Sequence, residues 1–244
     1  MNKNWLDSAG LNHFWMIWRY RFLLNELKRT NIKINRKIKI MDLGCGNGIL
    51  SNQLEENKKI KIDRVDSNFE TLRLNKNVKG KLICYNISKK NNKMKNKYDV
   101  IFLFDVLEHV KNDKLFIKNV YFHLKKNGIL ILNVPSINSL FSKYDYAVGH
   151  LRRYNKRTLL KNFSKDMYKI CSLNYWGLFL LPVLFLRKFI SLFYNKQKTD
   201  NIVKLGWRTN NLVNSFFKLV MKIEILTVKN APLGSSLMLI TRKI

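Results

Sequence analysis

Short apolar runs of strand length alternate along this chain with segments whose apolar residues recur every three or four positions. Positions 37–43, 60–65, 82–85, 99–104, 129–134, 168–173 and 236–241 read as strands. The run Val100-Ile101-Phe102-Leu103-Phe104 has no polar break, so that strand is expected to be buried on both faces. Positions 1–30, 47–56, 113–126 and 156–163 read as helices, with Phe14, Trp15, Trp18 and Phe22 along one side of the first. Asn127-Gly128 reads as the stop of the helix before it. Strands alternating with helices predict an α/β fold with a mostly parallel sheet.

Two stretches interrupt the alternation. Positions 136–154 form a long polar and aromatic loop, and loops of that length are usually functional. Positions 175–194 are strongly apolar, with Pro182 inside and Arg187-Lys188 near the middle. The unbroken part, 175–186, is too short to span a bilayer. It is expected to pack internally, to cap the active site or a dimer interface, or to lie in a headgroup–acyl boundary with Arg187, Lys188, Lys196 and Lys198 beside it.

Composition narrows the class. Apolar residues make up 46% of 244 residues, enough for a sizeable core. Cys45, Cys84 and Cys171 stand far apart with no CxxC pair, which excludes a disulfide scaffold and a zinc ribbon and suits a reducing compartment. The first residues lack the apolar region of a secretory signal, so a cytoplasmic protein is expected. Lys and Arg number 46 against 16 Asp and Glu, a formal charge of +30. Such a field attracts nucleic acid and anionic membranes alike. The lysines are spread over the chain, and the accompanying Asn and Ile share their AT-rich codons, so drift in composition accounts for the excess equally well.

Candidate chemistry begins at positions 38–48, IKIMDLGCGNG, where a strand runs into a glycine loop that opens a helix. Glycines permit the sharp turn and close approach of a ligand to the backbone. Asp66 ends the second strand 22 residues after Gly44, where a carboxylate can accept hydrogen bonds from ribose hydroxyls. A dinucleotide loop would place its third glycine at position 49, which is Ile49; here that glycine is Gly48.

With Asp42 before it, the loop resembles motif I of the class I S-adenosylmethionine methyltransferases. Positions 98–110, YDVIFLFDVLEHV, and 127–135, NGILILNVP, resemble the fourth and fifth strands of the ubiquinone-type (type 11/12) branch. Positions 142–154, SKYDYAVGHLRRY, resemble a D-x-x-x-G-H-x-R-R-Y segment of one subset, as do His13-Phe14-Trp15, Arg19 and the ending PLGSSL. The resemblance implies a Rossmann-like, seven-stranded sheet with an antiparallel last strand and helices on both faces. It implies a core over 1–174 with an N-terminal helical cap, an apolar helical insertion over 175–222, and a final strand in 223–244.

It further implies S-adenosylmethionine as cofactor, held by Asp42, Gly44, Cys45, Gly46, Gly48, Asp66, Ser67, Asn86, Ile87, Phe104, Asp105 and Arg19. Asn86 stands where relatives often carry an Asp that reads the adenine amine, and its side-chain oxygen can accept the same bond. Arg19 is expected to pair the methionine carboxylate, or else to pack with its helix on the sheet.

Methyl transfer needs positioning above all, and a base where a hydroxyl must lose its proton. His150, with Asp145, Arg153 and Tyr154, is the leading catalytic group, or else the centre of a loop-stabilising network. His109 is the next candidate. Asp105, Glu108 and His109 could close the cofactor pocket, act as base, or bind a divalent metal as proposed for ubiquinone-type relatives; no metal is assigned. His123 reads as a surface or packing residue. The expected activity is methyl transfer to a small-molecule or lipid- or glycan-linked acceptor, at oxygen. The alternative, prompted by charge, is an RNA methyltransferase or RNA-binding protein. Against it, the place after strand four holds Asp105-Val106-Leu107-Glu108 and not the N/D-P-P-Y/F of base amino methyltransferases.

Overall fold

In the computed structural model, residues 10–192 and 210–244 are described. The chain opens with α1 (Phe14–Arg29), β1 (Ile40–Leu43), α2 (Ile49–Lys58), β2 (Ile62–Asp66), α3 (Phe69–Arg73), β3 (Leu82–Cys84) and β4 (Tyr98–Phe104). It continues through α4 (Asp113–His123), β5 (Leu124–Pro135), α5 (Lys143–Val148), α6 (Lys156–Leu160), β6 (Tyr168–Trp176), α7 (Leu181–Leu192), α8 (Asn211–Thr227) and β7 (Ser236–Lys243). Seven strands make one sheet in the order β3-β2-β1-β4-β5-β7-β6. Its first five members run parallel, and β7 is antiparallel to both β5 and β6. This is the expected Rossmann-like, mostly parallel architecture.

Burial on both faces of β4 follows from its sequence. Ile101 and Leu103 join a core with Ile117 and Val120 of α4, while Val100, Phe102 and Phe104 join a second core with Trp18 and Leu23 of α1. Ile40 pairs with both Ile62 and Val100, so the strand order turns back around β1 and β4. Ligands of open α/β sheets bind outside the strand ends at such a switch point.

Four expectations are corrected. The helix expected over 113–126 ends at His123, and the strand begins at Leu124, which pairs with Tyr98 and is fully buried. At this junction Lys243 Nζ, from β7, donates to the carbonyls of Tyr121 (2.9 Å) and Leu124 (2.8 Å), adding to the bond the Leu124 N–H gives the Tyr121 carbonyl. Asn127, at φ +62°, belongs to an irregularity in the strand, not to a helix cap. Second, the loop over 136–154 contains α5. Its start is a capping box, in which the Asp145 carboxylate accepts from Ser142 N at 3.0 Å.

Third, the helix expected over 156–163 stops at Leu160. Fourth, the apolar run over 175–186 is not one unit. Tyr175 and Trp176 complete β6 by pairing with Leu237 and Ser236, Gly177 turns the chain at φ +77°, and α7 follows. The expected divisions at 174/175 and 222/223 therefore fall inside β6 and α8. The expected helix over 1–9, the apolar positions 193–194, and Lys196 and Lys198 lie outside the described residues.

Candidate functional site

The cleft at the switch point is lined by Met16, Arg19, Asp42, Gly44, Cys45, Gly46, Asn47, Ile49, Leu50, Phe104 and Asp105. Six of the expected cofactor residues in this set come from β1, its glycine loop and the end of β4. Gly44 and Gly48 are required by shape. Both have positive φ (+71° and +77°), and a Cβ would lie 2.4 Å from Val106 Cγ2 or 2.0 Å from Asn75 Oδ1.

The loop is braced from behind by residues that sequence reasoning missed. Asn75 Nδ2 donates to the Gly46 carbonyl at 2.8 Å, and Arg64 Nη1 donates to Asn75 Oδ1 at 3.0 Å. Arg64 itself is fully buried and ion-paired with Glu55 at 2.6 Å. A buried pair of this kind is weak evidence for stability, but here it fixes the side chain that holds the loop. No local pattern marks Asn75; only its nearness to Gly48 in space does.

Asp66 accepts from Gly46 N at 3.2 Å and from Asn68 N at 2.9 Å. Ser67, next to it, is exposed. Ile87 is buried, whereas Asn86 is exposed and its Oδ1 already accepts from Ser88 N at 2.9 Å. Burial pushes the Asp42 carboxyl up to about 6, against the hydrogen bond it accepts from Ser51 Oγ at 2.7 Å. Burial also raises the Cys45 thiol, so Cys45 stays uncharged.

Arg19 does enter the cleft. Its Nη1 donates to Asp105 Oδ2 at 2.6 Å, its guanidinium lies 5.3 Å from the Phe104 ring centre, and its buried Nε has no partner. Asp105, at φ +56°, also accepts from Asn133 Nδ2 at 2.6 Å, and Asn133 Oδ1 accepts from Trp176 Nε1 at 2.9 Å. Trp176 in turn packs on Trp15, 4.7 Å between ring centres, so β6 anchors the covering helix α1. The start of α1 is set locally, with His13 Nδ1 accepting from Trp15 N at 3.2 Å. Under Met16 and Arg19 the cleft keeps only about 30 Å³ of free volume.

This donor set fits S-adenosylmethionine. Asp66 would offer its carboxylate to ribose hydroxyls, the glycine loop would offer close backbone, and Arg19, with its unpartnered Nε, would offer a cation for a carboxylate.

A second cluster begins three residues beyond Asp105. His150 Nδ1 pairs with Asp145 Oδ1 at 2.8 Å, and Arg153 donates to the same carboxylate from Nε at 2.8 Å and Nη2 at 3.1 Å. Burial alone would raise the Asp145 carboxyl, but the bonds from His150 and Arg153 outweigh it and hold the group at about 2. His150 Nε2 lies 3.8 Å from Glu108 Oε1. Glu108 is wholly buried with both carboxylate oxygens unpartnered. Burial, then the charge of Asp105, raises its pKa well above the usual range.

His109 packs edge-on against His150 with ring centres 4.9 Å apart, and its Nδ1 meets the Gly149 carbonyl at 2.9 Å. A carbonyl only accepts, so Nδ1 carries the hydrogen. Burial, then His150, lowers the pKa of His109. Ligand atoms of Glu108, His109 and His150 all lie within 4.8 Å of one another, so these three, and not Asp105, could hold a metal ion.

Of the five expected catalytic residues, four gather here. Tyr154 does not: its hydroxyl donates to Asp113 Oδ2 at 3.0 Å and to the Leu107 carbonyl at 3.3 Å, pinning the start of α4. His123, expected at the surface or in packing, is buried, with Nδ1 2.7 Å from the Asn119 carbonyl.

A methyltransferase-domain profile matches residues 15–167, which covers all but the first residue of α1, the glycine loop and both clusters. The chain belongs to the methyltransferase domain family. Two curated relatives of this methyltransferase are ubiquinone biosynthesis O-methyltransferases. That of Pelagibacter ubique (strain HTCC1062) is 32% identical over 158 residues, 60% of this chain and 65% of the relative. That of Rickettsia canadensis (strain McKiel) is 36% identical over 153 residues, 59% of this chain and 62% of the relative. The match thus spans under two thirds of either relative. A solved S-adenosylmethionine-dependent methyltransferase from Archaeoglobus fulgidus shares the fold. Its TM-score is 0.53 at 14% identity, covering 92% of this chain and 94% of that one.

Proposed function

We propose that this methyltransferase moves a methyl group from S-adenosylmethionine to a hydroxyl of a small, quinone-type aromatic acceptor carrying an apolar tail. The observation that carries this is the continuity of 105–109. Asp105 lines the cofactor cleft, and Glu108 and His109, three and four residues on, belong to the histidine cluster. When bound, the cofactor supplies a methyl on a positively charged sulfur.

The chain's own residues do the rest. Asp145 stays ionised and holds the Nδ1 hydrogen of His150, which leaves Nε2 as the proton acceptor for the substrate hydroxyl. Glu108, wholly buried behind the pair with Oε1 3.8 Å from His150 Nε2, keeps that side of the imidazole in place. The relatives' names point to small-molecule oxygen acceptors, so nothing beyond net charge speaks for nucleic acid.

A second reading has Glu108, His109 and His150 hold a divalent ion that polarises the hydroxyl. Its support is the pair of unpartnered Glu108 oxygens facing two histidines.

The test is transfer of labelled methyl from S-adenosylmethionine to a prenylated catechol, with and without a chelator, and with total RNA as competitor. A methyl ether formed in chelator supports the base. Activity lost in chelator and restored by a divalent ion moves the role to metal. Label in RNA and none in the catechol overturns the reading.

A further inference from the structure

α7 is turned inside out. Its polar side chains face the protein: the Arg187 guanidinium lies 4.1 Å from the Tyr144 ring centre, Lys188 Nζ donates to the Ser139 carbonyl, and Ser191 is buried. Its outward positions are Val183, Phe185, Leu186, Phe189 and Ile190, exposed by 37–59%. An ordinary surface helix has the opposite arrangement.

α8 repeats the theme. Leu212, Phe216, Leu219, Ile223 and Leu226 fall four and three apart on one face and are exposed by 45–82%. Met221 and Glu224, on the opposite face, are buried against the fold. Lys218 and Lys222 stand along one edge of the exposed row. Glu224 joins the two helices by accepting from Gly177 N, Leu178 N and Phe179 N at 2.7, 3.1 and 2.8 Å, at the turn before α7. Phe179, at that junction, is 39% exposed.

Single exposed apolar residues are normal on a soluble protein; two helices that both turn their apolar rows outward are not. Among the described residues no helix is long and apolar enough to cross a membrane. Charge selects the occupant. A second copy would bring a second +30 molecule against the first, whereas an anionic bilayer is complementary to that field.

We propose that α7 and α8 lay their outward faces into the headgroup–acyl boundary of an anionic bilayer. Both sit beside the site: α7 carries Arg187 to Tyr144 of α5, and α8 packs on α1 through Phe14 and Phe217, 4.9 Å between ring centres. Docking there brings the acceptor end of the site to the lipid phase, a consequence that rests on the function proposed above; the docking itself does not.

The experiment is flotation of the full chain with phosphatidylglycerol–phosphatidylcholine vesicles, against pure phosphatidylcholine, with Phe189→Asp and Phe216→Asp as variants. The wild type floats with the anionic vesicles, and each variant lowers the bound fraction about tenfold or more. Cofactor binding and the circular dichroism spectrum of the variants stay as in the wild type, because both positions are exposed. Wild type left at the bottom at low salt overturns the proposal. So does equal flotation of both variants, which would make binding adsorption by charge alone. A wild-type dimer in sedimentation that Phe216→Asp dissolves also overturns it, in favour of a second copy. Methyl transfer to a soluble catechol reports separately on the function, so the two readings fail independently.

Discussion

Asp145 holds His150 by its Nδ1 at 2.8 Å, and the same carboxylate takes two bonds from Arg153. One buried anion of α5 thereby fixes an imidazole and a guanidinium in the turn between α5 and α6. Its pKa of about 2 lies below the ordinary 3.8, so the folded state holds it ionised longer than the unfolded chain does. The stability it contributes is fully present above pH 3.8 and is lost as pH falls through about 2. That loss amounts to about 2 kcal/mol. Urea unfolding from pH 5 down to 2 checks it: Asp145→Asn should be weaker at pH 5 and lose less on acidification than the wild type.

Removing the imaginable base is the sharper functional test. His150→Ala should lower turnover about 10²–10⁴-fold, with cofactor affinity unchanged, because His150 lies outside the residues lining the cleft. Turnover that matches the wild type would make His150 purely structural and pass the role to His109.

Asp66→Ala should weaken S-adenosylmethionine binding by about 1–3 kcal/mol. Two effects add here, loss of a carboxylate for the ribose and release of Gly46 N. Calorimetric titration measures it, with NADH as control. Equal affinity in the variant would take Asp66 out of the site, and tight NADH binding would defeat the argument from glycine spacing.

Asn214→Ala should loosen the cover over the cleft. Asn214 Oδ1 accepts from Phe14 N at 2.8 Å and its Nδ2 donates to the Asn12 carbonyl at 3.0 Å, so α8 holds the first turn of α1. The variant should cost about 1–2 kcal/mol of stability, speed hydrogen exchange over 14–19, and raise the association rate of the cofactor. Unchanged exchange at these amides would show that packing alone holds α1 down.

Much of this was readable beforehand because it is local. The glycine loop, the apolar run of β4 and the pairing of Asp145 with His150 depend on neighbours in sequence or on one strand–helix turn. What escaped depends on partners far along the chain. Lys243 braces the junction of α4 and β5, and Trp176 ties Asn133, Asp105 and Arg19 into one line. Asn75 and Arg64 brace the loop from a helix end and a strand whose own patterns say nothing of it. The polarity of α7 escaped for another reason: a run rich in Phe and Leu fixes that surface is apolar, not which side of the helix meets the fold.

The place of β7 has a consequence for the order in which the chain is made. Each of its flanks pairs with an earlier strand, β5 on one side and β6 on the other. During synthesis β6 emerges with no neighbour to receive it, and its backbone donors and acceptors stay open until β7 arrives between the two. The five parallel strands and the glycine loop can assemble before that moment; the Trp176 anchor under α1 cannot. Ligand-ready geometry is therefore completed only once β7 has been made, and a nascent chain halted before β7 would expose an unpaired strand edge to chaperones.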